Sequence, residues 1–205
     1  MDFLEPDISA VILAGGRSRR MGFDKSLIEL DGQTLLARVI GQMQDLFAHV
    51  AVAAGSADRY QNLTVPQIPD ILPGRGALVG LHAGLAAAPT SRIFALACDT
   101  PFPRPELIHY LVGLSREADW VVPRTEKGLE PLFAVYGRAC LPAMEQLVRR
   151  NEFRIRLLAD AVVTRYVDEA TLRRFDPDLR SFVNLNTVQE LERLMPAWKR
   201  EQSTN

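Results

Sequence analysis

A glycine- and arginine-rich segment near the N-terminus holds the residue types that binding a triphosphate requires. Residues 13–26 read LAGGRSRRMGFDKS and follow a short apolar run. Gly15 and Gly16 have no side chains, so backbone N–H groups there can approach a phosphate closely. The segment also concentrates fixed positive charge, on Arg17, Arg19, Arg20 and Lys25. Close amides combined with cations indicate a phosphate-binding loop. Composition alone leaves a solvent-facing basic loop as the alternative.

Spacing excludes two common nucleotide-binding motifs for this segment. A P-loop requires GxxxxGK followed by Ser or Thr, but Asp24 stands where the second glycine should precede Lys25. A dinucleotide fingerprint requires GxGxxG after a strand, and no such spacing follows the first apolar run. A phosphate site in residues 13–26 must therefore be of another kind.

A second group of chemistry-bearing residues ends another apolar run, where residues 96–102 read LACDTPF. Asp99 is a candidate Mg²⁺ ligand, because Mg²⁺ prefers oxygen donors and usually takes one or two carboxylates together with substrate phosphates. The alternative role for Asp99 is a turn residue before Pro101. Cys98 beside it is predicted to be a buried strand residue rather than a nucleophile.

The hydrophobic pattern places both segments at the ends of strands. Apolar runs predict strands at 8–13, 49–54, 64–68, 93–97, 120–122, 132–136 and 162–167. Helices are predicted between or after them at 34–47, 77–87, 106–114, 141–149 and 187–195, with Thr34 capping the first. Strands that alternate with helices predict an α/β fold with a mostly parallel sheet covered on both faces. Ligands of such folds bind at the carboxyl ends of the strands.

Length and composition bound the remaining possibilities. The 205 residues suit one domain over 1–205, with a polar tail from about 199 to 205. A net charge of −1 argues against general electrostatic binding of nucleic acid or an anionic membrane. The pattern contains neither a signal peptide nor a membrane-length apolar stretch, so we expect a cytoplasmic protein. The two cysteines and three histidines lack metal-site spacing, which argues against structural zinc and disulfides.

Residues 13–25 match the opening signature of the molybdenum cofactor guanylyltransferases, LAGGxSxRMGxDK, at every defining position. The resemblance continues in the family's order with Asp70, GALVG at 76–80, LACDTPF at 96–102, Glu130-Pro131-Leu132 and FVNLNT at 182–187. It thus covers nearly the whole chain. It implies a three-layer α/β/α sandwich, the Rossmann-type fold of nucleotidyltransferases.

The resemblance also implies a reaction and a set of site residues. Family members use Mg²⁺ to transfer GMP from GTP to the terminal phosphate of the molybdenum–molybdopterin cofactor, with release of pyrophosphate. The implied nucleotide-binding residues are Leu13, Ala14, Gly15, Gly16, Lys25, Asp70 and Asp99. Lys25 and Asp99 are the implied catalytic groups, with Asp99 as the Mg²⁺ ligand, and we add Arg20 from the loop. Asn184 and Asn186 are implied on the pterin side; the alternative is a turn before a helix capped by Thr187.

The sequence leaves the base specificity open. Asp70 could accept hydrogen bonds from N1 and N2 of guanine or contact another part of the nucleotide. Gly15 favours the guanylyl branch, because cytidylyltransferases acting on the same cofactor usually read LAAG. Family members often carry asparagine where Ala53-Ala54 stands, and proline where Ala77 stands. These two departures bear on base selectivity more than on the fold.

Two further alternatives concern turnover and partners. A nucleotide-binding regulator without turnover is expected to lack a catalytic group, whereas Lys25 and Asp99 are both present. Other molybdenum cofactor biosynthesis proteins are candidate partners. A basic cluster could meet such a partner or the pterin phosphate, but a solvated helix face is favoured for it; its members are Arg149, Arg150, Arg154 and Arg156.

Overall fold

A mostly parallel sheet organises the part of the chain that the structure describes. In this computed structural model the described residues are 7–14, 25–30 and 32–185, with only the backbone given at 25 and 30. The strands are β1 (Ile8–Leu13), β2 (Glu29–Leu30), β3 (Gln33–Thr34), β4 (Val50–Gly55), β5 (Gln67–Pro69), β6 (Arg92–Ala97), β7 (Trp120–Thr125), β8 (Gly128–Leu129), β9 (Phe133–Gly137) and β10 (Thr164–Asp168). The α-helices are α1 (Leu35–Gln44), α2 (Ala77–Ala87), α3 (Pro105–Gly113), α4 (Cys140–Arg149) and α5 (Glu169–Leu172). Short 3₁₀ helices lie at Lys25–Leu27, Leu114–Glu117, Ile155–Asp160 and Arg180–Phe182.

The strand order of the main sheet is β10-β7-β9-β6-β1-β4-β5, with β8 paired to β7. Strands β6, β1, β4 and β5 are parallel to one another, and β10 is parallel to β7. Strand β9 runs antiparallel to both of its neighbours. The predicted mostly parallel sheet is therefore confirmed. The parallel strands end at the same side of the sheet, which we call the carboxyl edge.

Helices cover both faces of the sheet. On one face, Ala10 and Ile12 of β1 pack in a core with residues of α1 and α3. On the other face, Val11 and Leu13 pack with residues of α2 and α4. Successive side chains of β1 thus enter opposite cores, as the two-residue period of a strand requires. All six residues of β1 are buried, which explains why its sequence, apart from Ser9, is apolar without alternation.

The first two helices follow directly from their sequences. Thr34 caps α1 by accepting a hydrogen bond from the N–H of Ala37 at 3.2 Å, as predicted. Helix α2 is apolar on all sides because it lies between the sheet and α4, and it has the predicted bounds 77–87. Every helix in the described ranges is too short or too polar to cross a bilayer.

Gly84 lets α2 approach the sheet closely. A Cβ atom at Gly84 would lie 2.5 Å from Cγ1 of Val11, a β-branched residue in the centre of the sheet. We expect Gly84→Ala to lower the free energy of unfolding by about 1–3 kcal/mol through overpacking, measured by urea denaturation. Gly41→Ala is the matched control, because a Cβ at this glycine of α1 has nothing within 4 Å. It should stabilise the protein by up to about 1 kcal/mol. Equal gains in both variants would contradict this account.

Some predicted elements differ from the structure. The predicted start of the strand at 64–68 is wrong, because β5 begins at Gln67. Pro66 has no N–H to donate to the sheet. Only its carbonyl takes part, accepting a hydrogen bond from Val52 N at 2.9 Å. The late strand predicted at 162–167 is β10, shifted to Thr164–Asp168. The hairpin β2–β3, strand β8 and helix α5 are too short to leave a periodic signal. The helix predicted at 187–195 lies outside the described residues.

Candidate functional site

Backbone hydrogen bonds bring three segments that are distant in sequence together at the carboxyl edge. The N–H of Cys98, after β6, donates to the carbonyl of Leu13 at 3.1 Å. The N–H of Asp70, after β5, donates to the carbonyl of Gly55 at 3.3 Å, at the end of β4. Strands β1, β4, β5 and β6 are consecutive neighbours, so the predicted residues Leu13, Asp70 and Asp99 share one edge of the sheet.

The Asp70 carboxylate lies over two glycines. A Cβ at Gly55 would lie 3.7 Å from Oδ2 of Asp70, and a Cβ at Gly80 of α2 would lie 3.8 Å from Oδ1. The same Cβ at Gly80 would lie 3.2 Å from Cδ1 of Leu13. Asp70 and Leu13 therefore converge on the second turn of α2. Asp70 as a whole is exposed, but partial burial of its carboxylate raises the pKa of that group.

A tight turn after β6 positions Asp99. The N–H and hydroxyl of Thr100 donate to the carbonyl of Ala97 at 3.3 Å and 2.6 Å, and Thr100 is buried. The backbone carbonyl of Asp99 accepts a hydrogen bond from Leu185 N at 2.8 Å. The turn is thus held by Thr100 and by main-chain bonds, and it leaves the half-buried Asp99 at the carboxyl edge. The turn position and the proposed ligand role are compatible with each other.

The bond to Asp99 also brings the C-terminal segment to the site. Asn184 precedes the buried Leu185 and is exposed beside the Asp99 turn. Phe182, two residues before Asn184, packs against Phe133, with a distance of 5.2 Å between the two ring centroids. The bond from Leu185 N places Asn184 next to the Asp99 turn, and the role of Asn184 on the pterin side stays a prediction. Asn186 lies outside the described residues.

The buried carboxylate of Asp176 secures this C-terminal segment further. Its two oxygens accept from Arg180 N at 3.0 Å and from Ser181 N at 2.8 Å. The hydroxyl of Ser181 in turn accepts from Arg104 N at 2.9 Å, at the start of α3. These bonds fix the chain shortly before Asn184 to the body of the fold.

The end of β1 already has protein partners for its polar groups. The Ala14 N–H donates to Ala53 O at 3.0 Å, and the Ala14 carbonyl accepts from the hydroxyl of Tyr60 at 2.7 Å. Backbone contacts from Leu13 and Ala14 to a nucleotide stay a prediction. Because the carbonyl of each residue already accepts one hydrogen bond, such contacts are restricted to its second lone pair. The amides next in line for a phosphate belong to Gly15 and Gly16, which, like Arg20, lie outside the described residues.

The positions that depart from the family pattern are Ala53-Ala54 and Ala77. Ala53 and Ala54 are buried at the end of β4, and Ala54 O accepts from the Arg59 guanidinium at 3.4 Å. Ala77 is the first residue of α2, and Gly76 before it has a φ of +102°, which glycine tolerates. The N-terminus of α2, with its partial positive charge, thus lies at the carboxyl edge without the usual proline.

The acidic residues at this edge fit a metal that the substrate helps to hold. Nowhere in residues 7–14, 25–30 and 32–185 do three side chains of His, Cys, Asp or Glu gather as a metal cluster. A lone Asp99 fits Mg²⁺, which takes few carboxylates and completes its shell with phosphates and water. Glu130, before β9, is a second carboxyl group at the same edge. Burial raises its pKa, while a hydrogen bond from Thr125 and the charge of Lys127 oppose that rise.

Comparison with known proteins decides the family. The model of the MobA-like NTP transferase domain matches residues 10–166, which include most of β1, all of α2, the Asp99 turn and most of β10. The chain belongs to the MobA-like NTP transferase family. The resemblance found in the sequence is thereby confirmed, and the protein is a nucleotidyltransferase. Its predicted α/β architecture is confirmed as well.

Individual relatives of this MobA-like protein cover most of its length. It is 38% identical over 183 residues to a probable molybdenum cofactor guanylyltransferase of Pelotomaculum thermopropionicum, covering 89% of each chain. It is 37% identical over 194 residues to the molybdenum cofactor guanylyltransferase of Desulfosudis oleivorans, covering 94% of this chain and 96% of the relative. The crystal structure of molybdopterin-guanine dinucleotide biosynthesis protein A from Archaeoglobus fulgidus superposes with a TM-score of 0.79 at 25% identity, covering 94% and 99% of the two chains.

Proposed function

We propose that this MobA-like protein transfers GMP from GTP to the terminal phosphate of the molybdenum–molybdopterin cofactor, producing molybdopterin guanine dinucleotide and pyrophosphate. The names of its relatives support this substrate pair. The structural observation that carries the proposal is the hydrogen bond from Cys98 N to Leu13 O, at 3.1 Å. It sets the turn bearing Asp99 directly against the point where the glycine- and arginine-rich segment begins.

The transfer needs no nucleophilic side chain. A terminal phosphate oxygen of the acceptor attacks the α-phosphorus of GTP in line, forming a new P–O–P linkage. The bond from the α-phosphorus to the bridging oxygen breaks, and pyrophosphate leaves with the electron pair. Catalysis therefore consists of alignment of the two phosphates and stabilisation of negative charge. Cys98 accordingly has no covalent part in the proposal.

The residues divide these tasks by their position on the carboxyl edge. Asp99 would hold Mg²⁺ together with the phosphates, and the ion supplies charge neutralisation at the α-phosphate. Lys25 and Arg20 provide further positive charge to the triphosphate. Asp70 binds the nucleoside part from the far side of β4. Asn184, beside the Asp99 turn, lies where the acceptor would approach.

Nucleotide selectivity tests the proposed function directly. The purified protein is incubated with Mg²⁺, molybdenum-loaded molybdopterin and either GTP or CTP, and pyrophosphate release is followed. We expect release with GTP. Release with CTP alone would move the protein to the cytidylyl branch. Silence with both nucleotides would favour another acceptor or a regulator without turnover.

Asp70 gives this selectivity a specific structural origin. We expect Asp70→Asn to weaken GTP binding by about 10- to 100-fold, because a carboxylate accepts from both N1 and N2 of guanine whereas an amide presents one acceptor. Affinity for inorganic pyrophosphate should not change. Because partial burial raises the Asp70 pKa, GTP affinity of the wild type should start to fall with acidification above the ordinary range of aspartate.

Calorimetric titration at several pH values measures both effects. Asp45→Asn is the matched control, because Asp45 is an exposed aspartate that caps the end of α1. If Asp70→Asn binds GTP as the wild type does, Asp70 has no contact with the base.

A further inference from the structure

One buried hydroxyl group joins the two ends of the glycine- and arginine-rich segment. The Tyr60 hydroxyl donates to the carbonyl of Ala14 at 2.7 Å, at the residue where the described part of β1 ends. The same hydroxyl accepts from Oγ of Ser26 at 3.0 Å, directly after Lys25. All three residues are buried: Tyr60 is 6% exposed, Ala14 3% and Ser26 1%. A single side chain thus bridges both boundaries of residues 15–25.

Tyr60 is also connected to β4 and β5. Its N–H donates to Oε1 of Gln67 at 3.0 Å, and its carbonyl accepts from Nε2 of Gln67 at 2.6 Å. Gln67 is the first residue of β5, the strand that ends just before Asp70. The Arg59 guanidinium lies 5.3 Å from the centre of the Tyr60 ring and also reaches the end of β4. The hydroxyl is therefore a fixed point relative to β4 and β5.

We propose that Tyr60 is a positioning residue for the polyphosphate part of the nucleotide. The inference rests on the proposed function, in which the amides and cations of residues 15–25 meet the phosphates. The two bonds of Tyr60 hold Ala14 and Ser26, the residues on either side of 15–25, at fixed positions relative to each other. The bonds to Gln67 connect Tyr60 to β5 as well, so Ala14 and Ser26 are held relative to the strand that ends just before Asp70.

Tyr60→Phe removes the bridging oxygen and keeps the ring. We expect this variant to bind GTP and inorganic pyrophosphate about tenfold more weakly, because a buried carbonyl loses its donor and the segment loses its common anchor. Binding of guanosine should stay unchanged, since the nucleoside carries no phosphate. Calorimetry with Mg²⁺ and no acceptor measures GTP and pyrophosphate, and ligand-observed NMR measures guanosine.

Two further variants separate positioning from a merely structural role. Ser26→Ala breaks the second half of the bridge, and adding it to Tyr60→Phe should cause little further loss of pyrophosphate affinity, because both changes act on one connection. Ser9→Ala is the matched control: its hydroxyl lies 2.7 Å from that of Thr90, is buried, and belongs to the opposite end of β1. It should lower the melting temperature without changing pyrophosphate affinity.

The outcomes distinguish this inference from the proposed function. Wild-type pyrophosphate affinity in folded Tyr60→Phe protein, or an equal loss for guanosine, would overturn the positioning role even if guanylyl transfer is observed. Selective loss of polyphosphate binding would support it, and this holds even if the wild type fails to transfer GMP to molybdopterin, which would overturn the proposed acceptor or the proposed turnover but not the binding of polyphosphate.

Discussion

Replacing Asp99 by alanine is expected to lower the proposed Mg²⁺-dependent guanylyl transfer by about 10³-fold or more, because the transfer loses the protein carboxylate that would hold the ion. The fold should persist. The bonds that hold the turn involve Thr100 and the backbone of Asp99, which alanine retains. The hydrogen bond from Leu185 to the Asp99 carbonyl also survives, so Asn184 keeps its place.

The measurement compares pyrophosphate release by wild type, Asp99→Ala and Asp45→Ala over a range of Mg²⁺ concentrations. Asp45→Ala removes one exposed carboxylate at the end of α1 and should be as active as the wild type. Circular dichroism checks that each variant is folded. Near-normal turnover by folded Asp99→Ala at low Mg²⁺ would remove Asp99 as the ligand. Glu130 would then be the next carboxylate to replace, since it lies at the same edge.

Much of the fold could be predicted because the central elements carry strong local signals. Strand β1 and helix α2 have the predicted bounds, one as a buried apolar run and the other as a segment bounded by glycine and proline-rich turns. The antiparallel direction of β9 could not be predicted. Its place between β6 and β7 depends on tertiary contacts, which leave no periodicity in the sequence. The start of β5 depends on Pro66, whose carbonyl but not nitrogen can take part in the sheet.

The candidate site shows the same division between local motif and tertiary contact. The motifs indicated Asp70, Asp99 and Asn184, and the fold places these three along one edge of the sheet. The sequence offered no comparable signal for Tyr60, a lone aromatic residue in a polar loop. Its partners lie 46 and 34 residues away, at Ala14 and Ser26. Such a bridge is visible only when β1 and β4 are neighbours.

Replacing Lys25 should strongly weaken binding of the triphosphate. We expect Lys25→Ala to raise the dissociation constant of GTP by about 10- to 100-fold, the range for a lost charge-assisted hydrogen bond to phosphate. The side chain of Lys25 lies outside the described residues, so the expectation rests on the motif and on the position of its backbone. That backbone opens the 3₁₀ helix Lys25–Leu27, directly before Ser26 and its bond to Tyr60.

Calorimetry with GTP and pyrophosphate at two salt concentrations tests this role, because loss of a cation should also reduce the salt dependence of binding. Arg116→Ala is the charge-matched control, since Arg116 is exposed in the turn before β7 at the opposite edge. Lys25→Arg adds a test of geometry, because a planar guanidinium does not replace a compact ammonium at a single phosphate oxygen. Unchanged GTP affinity in Lys25→Ala would leave the loop arginines as the source of positive charge. A loss in Lys25→Ala that is only partly restored in Lys25→Arg would assign to Lys25 one defined phosphate contact.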